Sequence, residues 1–412
     1  MKRQVIITLL FFLIQGVFHN IGHPVTPAFV RSLSIDDVMF GVFFASMSLG
    51  LMVGGPLWGV FADHHGKKRF VIIGILIYSV GQFGFGYSHN VVLMVFFRLM
   101  SGFGAAAPLT LLTAHVIESS EPHKRGAALA FLAGSLTAGA SLGYGLGGLI
   151  SSLSVIEAMS AIDGLSLIFL IQALLNTVYA GIVWLLMEDT VPESKDRKGF
   201  SVLSNLRRIT AIRPSLLVFL VSLSLVTIGA TNVSKYLDVH IDALGYSPQD
   251  LGTFVMVTGF VSILSSVLIV PFVARFRRQR IAIVVTQFVS VMVILYVFRA
   301  ENFMLAAYTV FMVYVVAKTV YQPLEQNTIA NNAREGRYAT IMGVRQSFVS
   351  IGMVIGPLVG GLLYKTDPLL LFDVSAVMFL IAAVLVGVSY VLDTRETKRM
   401  VGDNPDITSD VS

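Results

Sequence analysis

Cysteine is absent from the 412 residues, and charge of either sign is scarce. Without cysteine there are no disulfides, no thiol catalysis and no thiolate metal sites. Only 13% of the chain is Asp, Glu, Lys or Arg, against about 25% in soluble domains. Hydrophobic residues make up 55%, and the mean hydropathy is +0.79. So few charges cannot coat a soluble chain of this size, which argues against a soluble enzyme, a nucleic-acid binder or a disordered protein. The formal charge of +5 does not point to nucleic acid, because the basic residues sit in short loops between apolar runs. The chain also lacks a nucleotide-binding loop, an H-E-x-x-H helix and a paired-acid motif, so no enzyme and no cofactor are expected.

What the chain has is long apolar runs. Twelve are long enough for a membrane helix, at roughly 5–28, 39–62, 70–87, 91–115, 126–149, 165–187, 214–237, 249–273, 281–299, 303–329, 340–364 and 368–392. They are continuous, unlike the short alternating strands of a membrane barrel, so the predicted fold class is an all-α membrane protein. Met1-Lys2-Arg3 followed by Val5–Phe18 has the look of a signal peptide. The apolar stretch runs past Phe18 without an A-x-A site, and it reads as a retained first span.

Lys and Arg set the orientation. With the N-terminus inside, 22 of the 29 fall in inner segments, while Arg31, Arg299 and Lys365 fall outside. Arg98, Lys235, Lys318 and Arg345 lie within spans. This bias predicts a multi-pass protein of the cytoplasmic cell membrane with both termini cytoplasmic. The longest polar stretch, 188–213, divides the spans six and six. The expected organisation is a six-helix half at 1–187, a linker at 188–213, a second half at 214–392 and a tail at 393–412. The halves resemble each other. Leu33–Gly41 (LSIDDVMFG) aligns with Leu244–Gly252 (LGYSPQDLG), and the span 5 run Gly139, Gly143, Tyr144, Gly147, Gly148 aligns with Gly352, Gly356, Pro357, Gly360, Gly361 of span 11. Two matches at nearly one offset indicate duplication, and duplicated six-helix halves are a transporter plan.

On these residues the chain resembles the major facilitator superfamily over essentially its whole length. Gly59–Lys68 (GVFADHHGKK) is similar to the family's loop 2–3 signature, with Phe61 and His64 in place of the commoner Leu and Arg. Arg98, Ser101, Gly102, Gly104, Ala105 and Ala106 resemble the span 4 signature of proton-driven members, with Ser101 for Gln. The span 5 run resembles the exporter (antiporter) signature G-x3-G-P-x2-G-G, with Tyr144 in place of proline; the complete G-P-x2-G-G stands in span 11. Pro24-Val-Thr-Pro27 resembles the P-x-x-P of small drug exporters. The resemblance implies that Gly59, Asp63, Gly66, Lys67 and Lys68 form a conformational latch on the cytoplasmic side. It also implies that Arg98 takes part in proton relay and that the span 5 and span 11 glycines form a moving interface. Each has a plainer alternative: a capped inside turn, an arginine held by backbone carbonyls, and static packing. Gly66 is expected at positive φ, and Asp63 can cap the next helix or meet a basic partner.

Ionisable residues within spans are costly and therefore candidates. Lys318, Gln322 and Glu325 share one helical face of span 10, predicted to line the cavity, with Pro323 as a kink; the alternative is an ion pair with Arg345. His19 and His23 are one turn apart beside Asn20 and can titrate near neutral pH. They also fit a metal by spacing, but no third ligand stands near, and no metal is expected. Lys235 and Asp238 read as a rim pair, and Asp373 as gate or rim. Spans 1 and 4 lack the embedded acid that many proton-coupled exporters carry. A coupling proton would therefore use Glu325, Asp373, Asp238 or the histidines, with Glu325 favoured by elimination.

The function expected is a monomeric secondary transporter that exports small, fairly lipophilic molecules, coupled to proton influx. The 29 Phe and 16 Met suit an adaptable apolar cavity. The alternatives are uptake or exchange of a polar metabolite such as a sugar, and lipid flipping. Pro192-Glu-Ser-Lys195 matches only the first part of the sugar-porter P-E-S-P-R. The native chain suits cysteine accessibility scanning. A cysteine at Ser88 or Asp367 should label with an impermeant maleimide from outside and one at Gly66 or Arg197 should not; reversed labelling would overturn this topology.

Overall fold

The computed structural model describes residues 3–120, 125–188, 213–276, 279–331 and 338–403. Of the expected linker, 189–212 lie outside the described residues, as do 404–412 of the tail and the inner-loop residues Lys124, Arg334 and Arg337. Every regular element among the described residues is a helix: α1 Arg3–Asn20, α2 Thr26–Ser32, α3 Val38–His65, α4 Lys67–Tyr87, α5 Val91–Ser119, α6 Arg125–Ser151, α7 Ser154–Glu157, α8 Ala161–Leu186, α9 Pro214–Ala243, α10 Pro248–Leu268, α11 Val270–Val273, α12 Gln279–Val297, α13 Phe303–Tyr308, α14 Val310–Asn331, α15 Tyr338–Thr366 and α16 Pro368–Asp403. Among the described residues eleven stretches are long and apolar enough to cross a membrane, and Gln4–Asn20 is a shorter apolar helix.

That shorter helix corrects the first span, which the sequence reads as continuous over 5–28. It breaks after Asn20 because Pro24 has no N–H for the Asn20 carbonyl. The His23 amide takes that carbonyl instead, at 3.1 Å, and the Thr26 amide takes the His23 carbonyl at 3.1 Å. Pro27 sits in the first turn of α2, where a missing N–H costs nothing. The Phe18 and His19 carbonyls thereby lose their helical partners. Buried side chains replace them: Tyr78 Oη donates to His19 O at 2.7 Å, Gln172 Nε2 to His19 O at 2.8 Å, and Asn176 Nδ2 to Phe18 O at 3.2 Å.

The chain separates into two compact units. The first comprises 1–200, 234–263 and 354–368. In it α3 and α4 pack on α5, and α6 packs on α1, around a core that includes Phe11, Phe12, Trp58, Ile75 and Leu112. Absent side chains permit the close approach. A Cβ at Gly102 would strike the Met47 carbonyl, and one at Gly139 would strike the Leu13 carbonyl. A Cβ at Gly143 or Gly147 would strike the Val17 or Ile21 carbonyl of the α1 end.

The duplication is visible in the turns of this unit. After α2, the amides of Leu33, Ser34 and Ile35 bond to the carbonyls of Phe29, Arg31 and Val30 at 3.3, 2.8 and 3.3 Å. After α9, the amides of Leu244, Gly245 and Tyr246 bond to those of His240, Asp242 and Ile241 at 3.0, 3.0 and 3.3 Å. Ser34 (φ 55°) and Gly245 (φ 84°) take the same left-handed step. Equivalent glycines repeat the packing too. A Cβ at Gly41 would meet the Pro357 carbonyl, and one at Gly252 would meet the Tyr144 carbonyl at 2.5 Å. Arg31 and Asp242, which are 211 residues apart and occupy equivalent positions, pair with each other at 2.6 Å. Asp37 adds to the Arg31 cluster at 3.5 Å. Lys365 bonds Asp36 at 2.5 Å and holds that carboxyl below its usual range.

The second unit comprises 201–233, 264–353 and 369–412. Its helix ends carry ion pairs and hydrogen bonds: Arg280 to Asp393 at 2.7 Å, Arg299 to both oxygens of Asp373 at 2.7 Å, and Ser215 to Glu396 at 2.7 Å. Gly352 lets α15 approach α9, where a Cβ would meet the Ser224 carbonyl at 2.9 Å, and the Ser224 hydroxyl donates to Phe348 O at 2.9 Å.

Candidate substrate and proton site

The break in the first span gathers the polar groups of the first unit. His19 stacks on Tyr78 with ring centroids 3.9 Å apart, and His23 stacks on Tyr144 at 5.5 Å. Asn20 Nδ2 turns back to the Gly16 carbonyl at 2.8 Å. Arg98, two turns into α5, is 3% exposed. Its guanidinium lies 3.7 Å from the centroid of Phe85 and donates to Thr26 Oγ1 at 3.3 Å. Thr26 Oγ1 itself donates to the Gly22 carbonyl at 2.7 Å, so the first residue of α2 links the break to α5. Arg98 is thus a buried, aromatic-stacked cation bound to a hydroxyl, where the sequence alternative had backbone carbonyls. Such a group holds α5 against the break.

The expected rim pair of Lys235 and Asp238 is not formed. Asp238 is 5% exposed and accepts from Tyr144 Oη at 2.9 Å. Lys235 directs its ammonium over the Phe44 ring, 5.2 Å from its centroid. The i, i+3 spacing allows the pair, but an aromatic face and a phenol on neighbouring helices satisfy the two groups separately. Asp373 is a half-exposed partner of Arg299, which meets both of its oxygens at 2.7 Å.

In the second unit the face of α14 divides. Lys318 and Gln322 are exposed, while Glu325, one turn on, is 1% exposed. Arg345 of α15 grips Glu325 with Nε at 2.9 and 3.1 Å from its two oxygens, and its Nη2 also contacts Oε1. This bidentate pair is the alternative that the sequence left beside a proton site at Glu325. Pro323 is accommodated within α14, which runs unbroken over Val310–Asn331.

At the end assigned to the cytoplasm, Gly66 joins α3 to α4 with φ 86°, the expected left-handed conformation. Asp63 lies in the last turn of α3, and Gly66 holds the N-cap position of α4. The Asp63 side chain lies outside the described residues. Lys67 forms a salt bridge with Glu118 at the end of α5. A Cβ on Gly59 would meet open space, so its role is not close packing. Among the described residues no cluster of three or more His, Asp and Glu could hold a metal.

The sequence reading missed Tyr78, Gln172 and Asn176, which satisfy the broken helix, and Tyr144 as a donor. The available signal was the uncharged polar residue in an apolar span, since an unsatisfied amide there is also costly.

The Glu325–Arg345 pair yields a stability test. Glu325→Gln leaves a buried guanidinium without its counter-charge, a loss of about 3–5 kcal/mol. Thermal unfolding in detergent should show a large fall for E325Q and recovery in E325Q/R345Q. A single mutant as stable as the parent would remove the structural role.

Comparison with known proteins follows the same outline. The family model described as Major Facilitator Superfamily matches residues 7–347 and 219–409. The quinolone resistance protein NorA of Staphylococcus aureus (strain MSSA476) is 25% identical over 374 residues, covering 88% of this chain and 90% of that protein. Multidrug resistance protein 2 of Bacillus subtilis (strain 168) is 21% identical over 379 residues, covering 89% and 90%. Among solved structures, a bacterial homolog to the human lysosomal transporter Spinster, inward-facing and unoccupied, superposes with a TM-score of 0.77 at 15% identity, covering 95% of this chain and 98% of that one. With the family model spanning both sequence halves and the helical fold shared over the full length, this chain is a membrane transporter of the major facilitator superfamily.

Proposed function

We propose that the chain exports small, fairly lipophilic molecules across the cell membrane by alternating access, in exchange for protons. The observation that carries this reading is the placing of charged and titratable side chains against aromatic faces inside the bundle. Arg98 lies on Phe85, Lys235 over Phe44, His19 on Tyr78 and His23 on Tyr144. Aromatic faces take flat, lipophilic and cationic molecules, and buried ionisable groups respond to both protons and ligands. The names of the related proteins, one for quinolone resistance and one for multidrug resistance, support the same direction.

In this reading Asn20, Lys318, Gln322 and Arg345 contribute to the cavity, while Arg98, Glu325, His19, His23 and Asp373 are candidates for coupling. The glycines of α6 and α15 slide as access alternates. The protein works as a monomer with both termini in the cytoplasm. The test is reconstitution into liposomes with a panel of cationic dyes, sugars, amino acids and a fluorescent phospholipid. An acidic lumen should drive dye into the vesicles, with proton efflux in step. Proton-driven uptake of a sugar, or movement of the phospholipid alone, would replace this reading.

The latch is tested in the same vesicles. Asp63→Asn should leave insertion and abundance unchanged. Loss of one charge-assisted hydrogen bond, about 1.5–3 kcal/mol, in only one conformation shifts the conformer ratio by roughly tenfold or more, and the transport rate falls with it. Unchanged transport at equal abundance would sink the latch role.

A further inference from the structure

We propose that Asp238 is the carboxylate that binds the coupling proton, with Tyr144 as the group that ties its charge state to the position of α6; this rests on the proton-exchange reading above. The case begins with partners. Glu325, Asp373, Asp242, Asp36, Asp393 and Glu118 each lie against an arginine or lysine. Asp238 is buried in α9, yet among the described residues it forms no ion pair within 4.0 Å. Its one side-chain hydrogen bond among them comes from a neutral phenol. A carboxylate clamped by a cation must lose that partner before it can take a proton. Asp238 needs no such rearrangement.

A phenol also suits both states. With Asp238 ionised, Tyr144 Oη donates to Oδ2, as observed at 2.9 Å. With a proton on the carboxyl, the new O–H can donate to Tyr144 Oη, whose own hydrogen then turns to another acceptor. The phenol thus serves one state as donor and the other as acceptor, and the proton comes from water and returns to it. The groups that face the pair are few. Lys235 stands one turn earlier on α9 with its ammonium over Phe44 of α3. His23, from the break in the first span, stacks on the Tyr144 ring, and Arg98 of α5 acts on the phenol electrostatically.

Tyr144 is placed to pass the change on. It stands in the glycine run of α6, where Gly143 and Gly147 lie against the carbonyls of Val17 and Ile21, and its own carbonyl lies against Gly252 of α10. Altering the bond to Asp238 therefore acts on a helix with little side-chain interlocking, one free to slide. It also explains the departure from the exporter signature at 144: a proline there has no donor, whereas tyrosine supplies one to α9.

The test uses the full chain in liposomes. Asp238→Asn should lower pH-driven dye accumulation at least tenfold and leave downhill dye exchange within twofold. Asp238→Glu should restore accumulation in part. Tyr144→Phe should keep accumulation but move its pH midpoint to higher pH by roughly one unit, the size expected for losing one hydrogen bond to an ionised group. Uphill transport preserved in D238N, exchange lost together with accumulation, or an unmoved pH profile in Y144F would each overturn the proposal. A second measurement needs no transport at all. Infrared difference spectra on acidification should show a protonated-carboxyl band that D238N lacks. If the parent moves no dye, the export reading fails, while presence or absence of that band still decides the role of Asp238.

Discussion

A helix that breaks within a membrane must find new partners for the carbonyls it frees, and the first unit is organised around that requirement. Pro24 deprives the Asn20 carbonyl of its amide, the chain tightens through His23, and the carbonyls of Phe18 and His19 are left facing inward. In apolar surroundings each would cost several kcal/mol. Tyr78 of α4 and Gln172 and Asn176 of α8 supply the donors, so two helices from distant parts of the sequence are fixed to one break. Thr26, just past the break, donates back to the Gly22 carbonyl and in turn receives Arg98. The polar site is thus a by-product of solving a backbone problem.

Close helix contact is the second constraint. Lipid competes well with leucine for apolar surface, so helices in a bilayer gain by shape and by the absence of side chains. The glycines of α6 meet α1 carbonyls directly, and Gly102 meets α3 in the same way. Such smooth interfaces hold a bundle together while permitting sliding, which suits a family whose members alternate between two forms of access. Discrete polar links to α9, from Tyr144 to Asp238 and from Arg31 to Asp242, then carry the specificity that glycine cannot.

The duplicated turns show how far an ancestral pattern is kept. Gly245 takes its left-handed step without cost, whereas Ser34 does so against a steric penalty of about 1 kcal/mol. The hydrogen bonds around both are nevertheless the same. The pairing of Arg31 with Asp242 could not arise in a single ancestral half, since one position there would carry both residues. Divergence after duplication made an ion pair between equivalents.

By itself the sequence determined the helical class, the run of spans, the duplication and the left-handed Gly66. These follow from apolar length, loop charge and local backbone sterics, all of which act along the chain. Tertiary structure alone decided who partners whom. It separated Asp238 from Lys235, whose spacing on one helix permitted a pair, because Tyr144 and Phe44 on other helices offered each group an alternative. It joined Glu325 to Arg345 and left Lys318 and Gln322 exposed on what a helical wheel makes one face. Periodicity places a side chain on its own helix, but a buried polar group is settled by the donor or acceptor that packing brings within 3 Å or so, and that donor is read only in three dimensions.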